Sequence, residues 1–264
     1  NGLVMKQKPD KTALELTVLG SGTCAVTPER SCAGYALHWQ DQLVIMDMGF
    51  GTLRRMMHAG IDYRDIDVIL ITHEHLDHSG DLAPFLMAMH HTPGYTRRAP
   101  LTLAGPKGFK EFLTGCRDLY GDWLLEHETF ELEIHELEHK QIEIADATIK
   151  AYPMYHSRPV NGYRIEYQGR SLAFSGDTGM CDQVIELNRA VDLAILECSF
   201  PDDQPFEYHL TPGQAGHIAA ASGCRRLLLT HFYPMMDTID IIGRVKKQYN
   251  GVISLAHDLE RILL

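Results

Sequence analysis

One short stretch of this chain concentrates metal-binding chemistry: Ile71-Thr72-His73-Glu74-His75-Leu76-Asp77-His78-Ser79-Gly80. His73, His75, Asp77 and His78 fall within six residues, more ligands than one ion usually takes from a single loop. Neutral imidazole and carboxylate suit zinc and similar borderline cations. A helix N-cap would need one Asp or Ser there and not three rings. Two familiar zinc motifs fail on spacing. His73-Glu74 begins like H-E-x-x-H, but the fifth position is Asp77 and the segment follows an apolar strand-like run. The base-deaminase signature needs P-C-x-x-C, and the sequence has no C-x-x-C pair.

Further candidate ligands stand where other strand-like runs end. Ala151–Tyr155 leads into His156, Leu172–Phe174 into Ser175-Gly176-Asp177, Val191–Leu196 into Glu197, and Leu227–Leu229 into Thr230-His231. Sites in open α/β sheets gather at the carboxyl ends of strands. A lone Asp in such a place is a common turn former, but the joint pattern points to one convergent site.

The elements that must position these groups are legible as apolar runs. Leu14–Leu19, Leu43–Met46 and Val68–Ile71 are expected to be strands of a first half, about residues 1–150. Ile165–Tyr167, Leu172–Phe174, Leu193–Leu196 and Leu227–Leu229 belong to a second, about residues 151–264. Short, nearly continuous apolar runs suit strands buried on both faces. Helical spacing marks Asp81–His91, Pro106–Tyr120 and Cys181–Ala190. Thr211-Pro212-Gly213-Gln214 is a capping-box start for a helix that ends near Gly223. Asp237–Tyr249 is expected to be the last long helix, and Thr129–Lys150 alternates as one or two hairpins. The pattern implies a single α/β domain over residues 1–264, with two packed sheets and helices outside.

Composition narrows the function classes. A net charge of −11 weighs against a broad electrostatic footprint for nucleic acid. The six cysteines contain no C-x-x-C pair, which suits reduced thiols and a cytoplasmic setting. No apolar run approaches the roughly 18 to 20 residues that cross a bilayer, so no membrane partner is expected. Gly20-Ser21-Gly22-Thr23-Cys24-Ala25 mimics a dinucleotide fingerprint, but Thr27-Pro28 breaks the helix that should open there.

With these residues in view, the sequence resembles the metallo-β-lactamase superfamily, and within it the ribonuclease Z and cyclic phosphodiesterase branch. His73-Glu74-His75-Leu76-Asp77-His78 matches the H-x-H-x-D-H signature. Leu43-Val44-Ile45-Met46-Asp47-Met48-Gly49 resembles the early motif, and Asn161-Gly162-Tyr163-Arg164 resembles the branch's glycine-tyrosine-arginine element. The resemblance implies an αββα four-layer sandwich with two mixed sheets. It implies two divalent ions, zinc first, with manganese or iron as alternatives. His73, His75 and His156 would hold one ion, and Asp77, His78 and His231 the other. Asp177 and a water or hydroxide would bridge them, and Asp47 would support a ligand imidazole from behind. Glu197 and His209 resemble the pair that passes a proton to the leaving oxygen, although the flanks here are Leu196-Glu197-Cys198-Ser199 and His209-Leu210-Thr211. Homodimers are common among resembling proteins, so a homodimer is expected.

Phosphodiester hydrolysis by a metal-activated hydroxide is the chemistry this set implies, with Asp77 orienting the hydroxide and His209 as general acid. No glycine- and proline-rich RNA-gripping arm is present, and the segment from Gly115 to Lys150 is acidic. Arg158, Arg164 and the pair Arg97-Arg98 are the nearest candidates for phosphate contacts. A small or cyclic nucleotide-type substrate is therefore expected ahead of transfer-RNA 3′ processing, with lactone, thioester or sulfate ester hydrolysis third.

Overall fold

The apolar runs alternate between two burial environments, and that alternation builds the layers. In the computed structural model, which describes residues 14–264, the chain forms two seven-stranded sheets. The residues numbered 1–13, where the expected first half begins, lie outside the described residues. The first sheet has β1 (Glu15–Gly20), β2 (Gly34–Trp39), β3 (Gln42–Met48), β4 (Val68–Leu70), β5 (Leu101–Gly105) and β6 (Leu132–Glu136) side by side. The closing strand β14 (Arg261–Leu263) lies beyond β1. The second sheet runs in order from β7 (Gln141–Ile144) and β8 (Ala147–Pro153) through β9 (Asn161–Tyr167), β10 (Arg170–Phe174), β11 (Leu193–Glu197) and β12 (Arg226–Thr230) to β13 (Val252–Leu255).

Successive side chains of a strand face opposite sides, and the cores follow that rule. Val44, Met46, Val68 and Leu70 meet Ile165, Leu172, Ile195 and Leu228 between the sheets. Ile45 and Ile69 turn outward beneath α1 (Thr52–His58), α3 (Leu82–His91) and α4 (Phe109–Tyr120). Ala194, Leu196, Leu227 and Leu229 turn outward beneath α5 (Asp182–Leu187), α6 (Pro212–Ser222) and α7 (Ile241–Val245). Three cores separate four layers, the αββα order that the sequence pattern implied.

Strands β3 to β6 pair in parallel, as do β10 to β13. Parallel neighbours leave their carboxyl ends on one rim, where the loops carrying the chemistry must gather. The capping box forms as its residues demand: Thr211 Oγ1 accepts from the Gln214 N–H and Gln214 Oε1 accepts from the Thr211 N–H at 3.0 Å. Gly223 ends α6 in the left-handed region, φ 68°.

Two segments differ from the sequence pattern. Between Asp237 and Tyr249 there is no long helix: a 3₁₀ turn at Pro234–Thr238 precedes the five-residue α7. The side chain of Asp240 caps a new start by accepting from the Gly243 N–H at 2.8 Å, which divides the periodic stretch. Between Thr129 and Lys150 only β7 and β8 form a hairpin. Strand β6 joins the first sheet, so the chain changes sheets at residues 137–140. The dinucleotide-like Gly20–Ala25 opens no helix.

Close approach fixes one glycine beside the metal loop. A Cβ on Gly49 would lie 2.0 Å from the Asp77 carbonyl oxygen and 2.7 Å from Cys32 Cβ. Gly49→Ala must push backbone apart, at a cost of about 1 to 3 kcal/mol typical of overpacking. A lower urea midpoint with unchanged m-value is the expected result. An unchanged midpoint would remove this account.

Candidate metal centre

Each functional side chain sits on the rim because a buried strand ends there. Asp47 lies near the end of β3, fully buried and in the left-handed region at φ 60°. His73 to His78 follow β4, with α2 (Leu76–Ser79) opening after His75. His156 follows β8, Asp177 follows β10, Glu197 ends β11, and His231 follows β12 with φ 58°. Two non-glycine residues held at positive φ mark strain that the surrounding structure must enforce.

The seven candidate ligands converge. Ligand atoms of His73, His75, His156 and Asp177 all lie within 4.8 Å of one another, as do those of Asp77, His78 and His231. Asp177 joins the two groups. Its Oδ1 is 3.3 Å from His78 Nε2 and 3.4 Å from His231 Nε2, and its Oδ2 is 3.8 Å from His73 Nε2.

Hydrogen bonds behind the rings decide which nitrogen each presents. His78 Nδ1 donates to Asp47 Oδ2 at 2.7 Å, and His156 Nδ1 donates to the Tyr208 carbonyl at 3.1 Å. Thr72 Oγ1 gives its proton to Asp47 Oδ2, so it accepts from His73 Nδ1 at 3.0 Å. Ser199 Oγ likewise gives its proton to Glu197 Oε2 and accepts from His231 Nδ1 at 2.9 Å. Four rings therefore turn a bare Nε2 toward the cluster. His78 Nε2 and His231 Nε2 are only 3.2 Å apart, and His73 Nε2 is 2.9 Å from His75 Nδ1. The two Nε2 lone pairs of His78 and His231 repel unless positive charge lies between them, whereas His75 Nδ1 can donate to His73 Nε2.

Without cations, protons on the rings supply that positive charge. Burial pulls the His78 ring down, yet the carboxylates of Asp177 and Asp47 outweigh it and hold the ring well above an ordinary histidine. Burial holds His73 well below the usual value, with the His78 charge adding to it. Burial also pushes the Asp177 and Asp77 carboxyls up. The charges of His231 and His78 reverse that for Asp177, keeping it well below the usual range. A hydrogen bond with His231, together with those charges, sets Asp77 at about 2. Asp177 Oδ1 is buried and meets no hydrogen-bond donor. An orphaned carboxylate oxygen among bare imidazole nitrogens fits a pair of divalent cations, and the residues that would hold them are these seven.

Asp47 does more than orient His78. Its Oδ1 accepts from the Thr72 N–H at 2.7 Å, which ties β3 to the start of the metal loop. Asp47→Ala is expected to weaken cation binding about 10- to 100-fold, measured by competition with a chelator of known affinity. Unchanged affinity would make its role purely one of folding.

Glu197 is a hub. Oε1 accepts from His209 Nδ1 at 2.9 Å and from the Thr178 N–H at 2.7 Å. Oε2 accepts from Ser199 Oγ at 2.6 Å and from the Leu210 N–H at 3.2 Å. One buried carboxylate thus steers both His209 and, through Ser199, the ring of His231. Burial lowers the His209 pKa, but Glu197 overrides it and raises the ring to about 9. Sequence reasoning missed Ser199 and Thr72. Each stands within two residues of a singled-out residue and carries a hydroxyl, the only sequence signal available.

The arginines separate. Arg158 is exposed at the rim, 3.3 Å from Glu74 Oε2, and its charge reaches His75. Arg164 is not brought to the site. Its neighbour Tyr163 points inward and donates to the Ile71 carbonyl, so Arg164 faces the outer side of the second sheet. There it binds Glu166 at 2.7 Å and the carbonyls of Leu187 and Arg189. Arg97 and Arg98 line a cavity of about 510 Å³ with Gln42, Leu43 and Asp67, where β3 and β4 begin. That is the end away from the metal loop. His90 and His91 pack with His127 and Trp123 at the end of α3. All six cysteines are free thiols. Among the described residues, no helix is long and apolar enough to cross a membrane.

Known proteins resemble this chain in sequence and in fold. The family model described as Beta-lactamase superfamily domain matches residues 43–232, well over half the chain and every candidate ligand. A "Ribonuclease Z" of Thermobifida fusca (strain YX) is 30% identical, covering 94% of this chain and 94% of that protein. "Uncharacterized protein Rv1339" of Mycobacterium tuberculosis (strain ATCC 25618 / H37Rv) is 32% identical, covering 91% of this chain and 89% of that protein. The solved metallo-β-lactamase fold protein YhfI from Bacillus subtilis superposes with a TM-score of 0.81 at 21% identity, covering 96% of this chain and all of that one. The two relatives align differently in one respect. The first alignment spans 305 positions for about 248 residues of this chain (94% of 264), whereas the second spans 247 for about 240 (91% of 264). The fold, the convergent ligands and these matches together place the chain in the metallo-β-lactamase superfamily, in its ribonuclease Z-like branch.

Proposed function

We propose that this hydrolase is a phosphodiesterase with two divalent cations, zinc first, and a small nucleotide-type substrate. The buried Glu197–His209 pair, 2.9 Å between Oε1 and Nδ1 and 3.9 Å from Asp177 Oδ2, carries this reading. A sugar alkoxide is a poor leaving group and needs a proton as the ester bond breaks. A lactam or thioester needs that proton far less.

The cation pair, when bound, supplies Lewis acidity toward a phosphoryl oxygen and lowers the pKa of a bound water. The chain's residues do the rest. Asp77, ionised at a pKa of about 2, accepts a hydrogen bond from the attacking water and turns its lone pair toward phosphorus. His209 keeps its proton because Glu197 stabilises the charged ring, and it delivers that proton from Nε2 to the departing oxygen. A cation pair at Asp177 would lower the His209 pKa by charge repulsion and ease release of its proton. Arg158, exposed at the rim beside Glu74, gives a point charge for an outer phosphate oxygen.

The preference for a small substrate rests on what this chain lacks relative to its ribonuclease Z relative. The alignment lengths leave that relative roughly 57 positions without a counterpart here, against about seven for the mycobacterial protein. The acidic segment Glu126–Glu138 carries six glutamates and no Lys or Arg for a polyanionic backbone. Transfer-RNA 3′ processing is the second reading, favoured by the name of that relative.

The deciding experiment loads the protein with zinc or manganese and offers bis(p-nitrophenyl) phosphate, 3′,5′-cyclic nucleotides and a precursor transfer RNA. Turnover of the small diesters without cleavage of the transcript is expected. Transcript cleavage at comparable kcat/KM would overturn the small-substrate reading, and no phosphodiester turnover would overturn both.

A further inference from the structure

The wall of the site beside His209 is aromatic and partly open to solvent, and no step above uses it. The chain between β11 and α6 folds back on itself. The Ser199 and Phe200 N–H groups both donate to the Leu210 carbonyl, at 3.0 and 3.3 Å, and the His209 N–H donates to the Phe206 carbonyl at 3.1 Å. Asp202 anchors the loop by accepting from the Gly213 N–H at 2.8 Å. A surface loop closed at its neck holds its side chains in set places.

Those side chains form a continuous surface. Phe200 lies 5.4 Å from Phe206 and 5.1 Å from Tyr233, centroid to centroid, all tilted rather than edge-on. The His209 ring is 5.6 Å from Phe200 and 5.9 Å from Phe206. Phe206 is 51% exposed. One exposed phenylalanine means little. Two rings on a pinned loop, with Tyr233 from the segment after β12 packed against Phe200, form a contiguous ligand-facing surface touching the proton donor.

Resting on the phosphodiesterase reading, we propose that Phe200, Phe206 and Tyr233 form a stacking subsite for the nucleobase on the leaving-group side of the substrate. His209 must meet the departing oxygen, so whatever that oxygen carries lies against its aromatic neighbours. Of the arginines considered for phosphate contacts, Arg158 alone reaches the rim, so recognition falls largely on the uncharged part of the substrate. A flat π face is complemented by a base, and tilted phenyl rings offer such faces to any of the four.

The test compares two substrates with the same scissile group: a nucleoside 3′,5′-cyclic phosphate and the corresponding 1-deoxyribose 3′,5′-cyclic phosphate without a base. The base is expected to raise wild-type kcat/KM about 5- to 150-fold, the size of base–aromatic stacking. Phe206→Ala should bring that ratio close to one, and Phe206→Tyr should restore it. A wild-type ratio near one, or a ratio that survives Phe206→Ala, overturns the subsite. Binding of adenosine 5′-monophosphate against ribose 5-phosphate, by calorimetry on the metal-loaded protein, measures the same preference without turnover. If neither ester is cleaved but the Phe206-dependent binding preference persists, the phosphodiesterase reading fails and the stacking surface stands. If that preference is absent, the surface falls.

Discussion

His209→Ala lowers kcat by about 10²- to 10⁴-fold on diesters whose leaving group is a sugar alkoxide, the range that positioned acid catalysis supplies. The same substitution costs far less on bis(p-nitrophenyl) phosphate, because p-nitrophenolate departs without a proton. The split between the two substrates is the informative quantity. A general loss of structure or of cations would lower both rates together, whereas loss of a proton donor lowers only the one that needs the proton. Glu197→Gln is expected to share the direction of the effect with an added loss of metal affinity, since Glu197 also holds Ser199 against the ring of His231. Equal losses on both esters after His209→Ala, at unchanged metal content, would take away the general-acid role.

Removing the cations with dipicolinate is expected to lower activity on both esters by about 10³-fold or more, since metal-supplied charge stabilisation is worth several kcal/mol and each 1.36 kcal/mol is tenfold. Zinc or manganese should restore it. A second readout avoids dependence on turnover. Four bare imidazole nitrogens and two carboxylates, Asp77 and Asp177, face one another in the cluster, so the cations also stabilise the fold. By mass action, metal at 1,000 times Kd adds about 4.1 kcal/mol, visible as a higher urea midpoint for the loaded protein. Asp177→Ala should remove most of that difference, because Asp177 is the one carboxylate near both ligand groups. An apo protein as stable as the loaded one would argue that the cluster is held by its own hydrogen bonds.

Much of the site could be seen in the residues themselves. His73, His75, Asp77 and His78 were legible because a tight loop forces close neighbours in sequence to be close in space. His156, Asp177 and His231 were legible because each directly follows an apolar run, and strands of one sheet deliver their ends to one rim. The same local logic found the capping box at Thr211. It failed for Asp237–Tyr249, where a helical period continued past a capping aspartate, and for β6, whose choice of sheet is made by its partner β5 and not by its own residues.

What the sequence alone determined is the chemistry available: ligand types, their attachment to strand ends, and the two-sheet pattern of burial. Only the tertiary structure decided how that chemistry is aimed. The pleat of β9 turned Tyr163 inward to the Ile71 carbonyl and so sent Arg164 to the outer face. The distant Ser199 hydroxyl and Tyr208 carbonyl chose the nitrogen that His231 and His156 present, and Asp47 set Thr72 to do the same for His73. Loop closure at Leu210 set Phe200 and Phe206 beside His209. Periodicity is a property of neighbours along the chain, whereas orientation depends on contacts between residues tens to hundreds of positions apart, and those contacts leave no period to read.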